Sequence, residues 1–209
     1  MFGWGKKKEK RVIGTLTDDQ LKSLDIILLV DNSGSMVVND SERVPGANRL
    51  QEVQHDVMKI AQAAEKFDAD GITLIEFGSS AQVFDNVGSL KVASTFKAFN
   101  DSGSTNLTSA LMLATEKAQA TNKNAVVICW TDGSPDSKPT AKAAIDRAGR
   151  ELGRPKIGFT FVQVGRDPLA TDFLDDLDNS MKVDVCATVR AEEATGLTLH
   201  QLAWLAQNA

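Results

Sequence analysis

The chain has little of what most metal and redox sites are built from: two cysteines, Cys129 and Cys186, and two histidines, His55 and His200, in 209 residues. There is no C-x-x-C spacing, which excludes the common zinc and dithiol arrangements. Both cysteines stand in apolar, strand-like segments, the setting of buried free thiols. A disulfide would need their Cα atoms within about 7 Å, and nothing in the pattern requires that. The histidines have no ligand partners near them in sequence, so neither reads as a metal or catalytic centre. No apolar stretch approaches the ~20 residues of a membrane span. The first residues also lack the apolar core of a secretory leader. These absences set the expectation of a reducing, cytoplasmic compartment. G-x-x-x-x-G-K-[ST], G-x-G-x-x-G and G-x-S-x-G are all missing, which removes support for nucleotide binding and for a serine-hydrolase elbow. Basic charge is not in excess: the net charge of −5 argues against a nucleic-acid partner.

What is present is the composition of an ordinary soluble domain, 42% hydrophobic and 24% charged. The length fits about one domain with a sizeable core. Residues 1–20 differ from the rest, with Phe2 and Trp4 beside Lys6, Lys7, Lys8, Lys10 and Arg11. This extension reads as a solvated tail or a lid strand. Weak contact with an anionic membrane is the alternative, but the segment falls short of the two signals that stable anchoring needs. The domain proper is expected over 21–209, with a C-terminal helix at about 192–207. Thr17 and Gln20 form a capping-box pair that predicts a short helix reaching residue 24.

From there the chain alternates. Apolar strands are predicted at 25–30, 71–77, 81–84, 125–130, 156–164 and 183–186. Helices are predicted at 50–67, 107–120, 139–152 and 168–178, with a polar helix or turn at 91–99. Asp167 and Pro168 supply a cap and a first-turn proline. Strands alternating with helices predict parallel βαβ units, and near-continuous apolar strands predict a sheet covered on both faces. The fold class is therefore α/β and doubly wound; the expected arrangement is a mostly parallel six-stranded sheet in the order 3-2-1-4-5-6 common to such folds, with short strand 3 antiparallel. In such sheets ligands bind beyond the carboxyl ends of the strands, where strand order reverses.

Three segments fall at that edge. Asp31-Asn32-Ser33-Gly34-Ser35 follows the first strand, Gly103-Ser104-Thr105-Asn106 precedes a helix, and Thr131-Asp132-Gly133 follows the fourth strand. They offer two carboxylates and three hydroxyls, the all-oxygen chemistry that suits a hard divalent cation. Taken singly, Asp31 and Asp132 read as helix caps and Thr105 as the N-cap of the helix after it. The ordered set is far more specific.

D-x-S-x-S, a distant Thr and a strand-terminal T-D-G together resemble the metal-ion-dependent adhesion site of von Willebrand factor type A domains. The resemblance spans about residues 24–190, and all five positions match: Asp31, Ser33, Ser35, Thr105 and Asp132. Within the family the chain is most similar to the bacterial intracellular branch associated with tellurium resistance. The stretch Phe161-Val162-Gln163-Val164-Gly165-Arg166-Asp167-Pro168 and the following Phe173-Leu174-Asp175-Asp176-Leu177-Asp178 carry that finer likeness. The resemblance implies a bound Mg²⁺, with Mn²⁺ or Ca²⁺ as alternatives. It implies that Ser33, Ser35 and Thr105 touch the metal while Asp31 and Asp132 act largely through water.

Three neutral hydroxyls and two acids leave such an ion under-neutralised, with a position for a carboxylate from a partner. The expected activity is therefore non-enzymatic: recruitment of a protein presenting Asp or Glu, with no nucleic acid and no stable membrane anchor. Gly34, Gly103 and Gly133 are expected to let the backbone turn around the ion. The loop 37–48, with Asp40, Glu42 and Arg43, would shape specificity, and Arg49, Asp136, Lys138 and Arg166 would form the rim. Trp130 reads as core, and the acidic run Asp172, Asp175, Asp176 and Asp178 as a solvated helix face. The rivals are a metal-assisted hydrolase or phosphoryl-transfer enzyme, for which no nucleophile–base pair is apparent, and a structural subunit whose metal only stabilises the fold.

Overall fold

Strands that are apolar at nearly every position must be covered on both faces, and the architecture meets that need. A computed structural model describes residues 12–41, 43–67, 71–100, 103–194 and 196–208. The basic and aromatic stretch 1–11 and the loop residue Glu42 lie outside the described residues. The strands are β1 (Leu24–Asp31), β2 (Ile72–Phe77), β3 (Ala81–Val87), β4 (Asn124–Thr131), β5 (Ile157–Gln163) and β6 (Cys186–Val189). They form one sheet in the order β3-β2-β1-β4-β5-β6. Only β3 runs antiparallel to its neighbour. Helices α1 (Asp18–Lys22), α2 (Arg49–Ala64), α3 (Val92–Lys97), α4 (Leu107–Ala120), α5 (Lys138–Glu151), α6 (Pro168–Ser180), α7 (Ala191–Ala194) and α8 (Leu199–Asn208) complete the chain.

Side-chain alternation divides each strand between two cores. Ile26, Leu28 and Val30 of β1 and Val126, Ile128 and Trp130 of β4 pack with Val53, Val57 and Ile60 of α2 and Leu202 and Leu205 of α8. Ile27, Leu29, Val127 and Cys129 point the other way, onto Leu111 and Ala114 of α4, Ile145 of α5 and Phe173 of α6. Trp130 is buried, as its sequence context suggests, and Cys129 and Cys186 are buried free thiols. Among the described residues, no helix is long and apolar enough to cross a membrane.

Several boundaries differ from the sequence expectation. The capping box at Thr17 and Gln20 forms, but α1 stops at Lys22, because Ser23 caps it on Gln20 and Leu24 already pairs with Asn124. Asp85 and Asn86 do not end β3; the strand runs to Val87 through a register shift against β2, with Asn86 at a positive φ. The last strand lies at Cys186–Val189 rather than 183–186, because the exposed edge of β5 from Phe159 to Val162 selects that register. The segment at 91–99 is not polar throughout: Val92 and Phe96 of α3 join the core. The C-terminal helix is two helices, α7 and α8, interrupted near Gly196, whose φ is +85°.

One contact in this layer is unusually close. A side chain at Gly158 of β5 would collide with the carbonyl oxygen of Ala206, so α8 lies directly on the strand there. Gly158→Ala should therefore destabilise the fold by about 1–3 kcal/mol, as overpacking does, and lower Tm by several degrees in thermal denaturation followed by circular dichroism. An unchanged Tm would mean that α8 can lift from β5 freely.

Candidate metal centre

β1 and β4 are adjacent and parallel, with Val30 opposite Trp130, so Asp31 and the Thr131-Asp132 turn leave the sheet side by side. Four of the five expected ligands form one hydrogen-bonded cluster. Ser33 Oγ lies 3.2 Å from Ser35 Oγ, and Ser35 donates to Asp132 Oδ1 at 2.7 Å. Asp31 accepts from the Ser33 amide at 2.8 Å and from the Thr131 hydroxyl at 2.6 Å. Both carboxylates are inaccessible to solvent, whereas Ser35 is exposed and Thr105 half-buried. Ser33 is buried with the two acids, so the floor of the site holds Asp31, Ser33 and Asp132, and Ser35 stands above them at the surface.

Thr105 stands outside that hydrogen-bonded cluster, in a loop tied to the other two. The Gly34 amide donates to Gly103 O at 3.1 Å, joining the first loop to the second. The Thr105 amide donates to Asp136 Oδ1 at 2.8 Å, and the Asp136 amide donates back to Thr105 O at 3.0 Å, joining the second loop to the third. Thr105 is not the N-cap of α4; Asn106 is, accepting from the Ser109 amide. Nor do the aspartates cap helices: Asp31 closes a local turn onto Ser33, and α5 is capped by Ser137. None of the three glycines has the positive φ that a turn reserved for glycine would need; at Gly103 the lack of a side chain instead makes room for the Ser79 hydroxyl. Gly34 and Gly133 have room for a side chain.

The rim residues have separate fates. Asp136 is the loop tie just described. Lys138 opens α5, and the exposed Arg166 follows β5, whose continuation at Val164 donates to Thr131 O at 2.9 Å. Arg49 is more than rim: its Nη1 donates to Asp132 Oδ2 at 2.7 Å. Outside the cluster, His200 pairs with Asp18 at 2.9 Å and meets the Phe67 ring edge-on. Asp176 and Asp175 of the acidic run pair with Lys142 and Arg190 on the surface.

Sequence reading passed over the group that ties the site to the sheet. Glu76 of β2 is buried and accepts from Asn32 Nδ2 at 3.2 Å, the Asn100 amide at 3.1 Å and Asn100 Nδ2 at 3.0 Å. Asn32 Nδ2 also donates to Asn100 O at 2.7 Å. One carboxylate therefore binds the Asp31–Ser35 loop to the residues that lead into the Thr105 loop. The signal was legible: a glutamate inside an otherwise apolar strand must find donors once buried.

The donor set fits a hard cation. Ser33 and Ser35 Oγ are separated by close to the ~3 Å between adjacent ligands of an octahedral ion with ~2.1 Å bonds. A guanidinium already satisfies part of the cluster's demand for positive charge. Among the described residues no three His, Cys, Asp or Glu side chains converge as a metal cage, so hydroxyls must supply the balance of any shell here.

A family model described as von Willebrand factor type A domain matches residues 26–134, more than half of the chain. The chain belongs to the von Willebrand factor type A family. No curated protein matches it. Solved structures share the fold at low identity. The SpRpn10 VWA domain is 14% identical with a TM-score of 0.56, over 87% of this chain and 92% of that one. Manganese-loaded Plasmodium vivax TRAP protein is 17% identical with a TM-score of 0.55, over 83% and 71%. The PilB minor pilin from Streptococcus sanguinis is 14% identical with a TM-score of 0.56, over 87% of this chain. The present chain spans only 59% of that pilin's length.

Burial shapes the acid–base behaviour of this VWA site. Desolvation, opposed by hydrogen bonds from Ser33 and Thr131 and reinforced by the nearby Asp132, pushes the Asp31 carboxyl up to about 6 from an ordinary 3.8. Between those values the folded protein holds a proton that the unfolded chain has released, so stability falls as pH rises. In chelator, wild type should lose up to about 3 kcal/mol relative to Asp31→Asn between pH ~4 and ~6, with a constant gap above that window. Urea unfolding midpoints across pH measure this; a gap that does not change with pH would contradict it.

Proposed function

We propose that this VWA domain is a non-enzymatic, divalent-metal-dependent protein-binding module. The observation that carries the reading is the cluster itself: Asp31, Ser33 and Asp132, all buried, are hydrogen-bonded together beneath the exposed Ser35. Ser33, Ser35 and Thr105 would hold the ion directly, and Asp31 and Asp132 would hold it largely through water. Mg²⁺ is the expected ion, with Mn²⁺ or Ca²⁺ as alternatives. When bound, the ion would offer a positively charged, open coordination position to an Asp or Glu of a protein partner. Asp136 and Glu76 tie the three loops to one another, which would hold Thr105 within reach of an ion on Ser33 and Ser35. The partner class excludes nucleic acid, in keeping with the acidic composition. We further place the chain in the bacterial intracellular, tellurium-resistance-like branch and in the cytoplasm, on the 161–178 motif and the two unpaired cysteines.

A ligand that binds only the folded state stabilises it by about 2.7 kcal/mol at 100 Kd. Mg²⁺ should therefore raise Tm by roughly 5–10 °C over chelator. The Ser33→Ala/Ser35→Ala double variant should lose that shift; an undiminished shift would put the ion elsewhere. Thr105→Ala should keep the circular dichroism spectrum but lose Mg²⁺-dependent capture of proteins from the native lysate. Capture that persists equally in chelator and in Thr105→Ala would reduce the metal to a structural role, and turnover of phosphoesters would favour the hydrolase alternative.

A further inference from the structure

The proposed centre already contains a cation. Arg49 is the first residue of α2, placed by the Asn48–Gln51 capping box and by donation of its amide to Val38 O. Its guanidinium is gripped on three sides. Nε and Nη2 fork onto Asp40 at 2.8 and 2.6 Å, and Nη1 donates to Asp132 Oδ2 at 2.7 Å. Gly165 packs so closely that a Cβ there would sit 2.9 Å from Nε. Each oxygen of Asp132 thereby has a donor, with Ser35 on Oδ1 and Arg49 on Oδ2. Its carboxylate has no access to water, and the Arg49 side chain is only 14% exposed, so the pair interacts with little screening.

We propose that Arg49 is the resident counter-cation of the metal centre, competing with divalent metal for Asp132 and thereby setting the metal affinity. The inference rests on the metal reading of Asp31, Ser33, Ser35, Thr105 and Asp132. Two buried carboxylates create a demand for positive charge that arginine meets in part. A divalent ion entering the cluster must either displace Nη1 from Asp132 or accept a unit positive charge beside it. Both raise the metal concentration needed to fill the site. Arginine suits this role because it cannot lose its charge at any working pH and because its planar fork locks onto Asp40. Asp40 is the anchor that holds the guanidinium over the site.

The test is isothermal titration of the full chain with Mg²⁺ alone, and separately with Mn²⁺ alone, in wild type, Arg49→Gln and Arg49→Lys. Removing the charge should tighten metal binding about tenfold; Arg49→Lys, which keeps the charge, should stay within about threefold of wild type. Thermal denaturation gives a second readout. In chelator Arg49→Gln should melt below wild type, because Asp132 loses its partner, and saturating Mg²⁺ should restore it, giving a larger metal-induced shift than in wild type. If Arg49 is only a structural pin, Arg49→Gln will bind metal no more tightly than wild type and will be destabilised equally with and without metal; that result overturns the proposal. If wild type binds Mg²⁺ and Ser33→Ala/Ser35→Ala does not, yet Arg49→Gln shows no gain, this inference fails while the metal reading stands. If neither wild type nor Arg49→Gln binds metal, both fail.

Discussion

Two carboxylates withdrawn from water at the ends of adjacent parallel strands set the terms for everything around them. Asp31 and Asp132 leave β1 and β4 at the same edge. Their burial follows from the fold: the strand ends lie under three loops, and both faces of the sheet carry helices. Isolated charges in that position are costly. The site answers with donors: the Ser33 amide and Thr131 hydroxyl on Asp31, and the Ser35 hydroxyl and Arg49 on Asp132. The shifted acidity of Asp31 measures how incomplete that answer is. The remaining demand for positive charge is what makes a divalent ion a natural occupant.

The same demand explains the polar architecture beyond the ligands. Oxygen donors spread over three loops from distant parts of the chain are useful only if those loops keep a fixed relation. Glu76 provides one tie, between the loop after β1 and the residues entering the Thr105 loop. Asp136 provides the other, between the Thr105 loop and the turn after β4. Each uses a carboxylate to accept backbone or side-chain amide N–H groups from a neighbouring loop. The site is therefore held by second carboxylates that would take no part in holding the ion.

Much of this was legible from residue order. Apolar runs at every strand, amphipathic spacing in the helices and the reversal of strand order place the D-x-S-x-S and T-D-G segments together. The strand order, the antiparallel third strand and the α4 span agree with that reading. The end of β3 and the register of β6 are decided by neighbours in space rather than in sequence. Asp85 and Asn86 look like a turn, yet they form an irregularity within the strand, with Asn86 at a positive φ, and pairing with β2 resumes at Val87 opposite Ile72. Val183 to Val185 look like strand, yet the pairing edge of β5 begins opposite Cys186.

The sequence by itself determined the chemistry of the centre: which oxygens are available, how many carry charge, and that they stand at strand ends and helix starts. Those properties are local, because side-chain type and periodicity do not depend on distant partners. Only the tertiary structure decided which charges meet. Arg49 and Asp132 are 83 residues apart, and Asn32 and Glu76 are 44 apart. Arg49 looked like one of several rim cations, and Glu76 drew no notice at all. Their roles arise when sheet register and the entry of α2 bring a guanidinium onto one buried carboxylate and a second carboxylate beneath a loop. In a low-dielectric interior such pairings are worth far more than on the surface, so the features least visible in the sequence are the ones that set the electrostatics of the site.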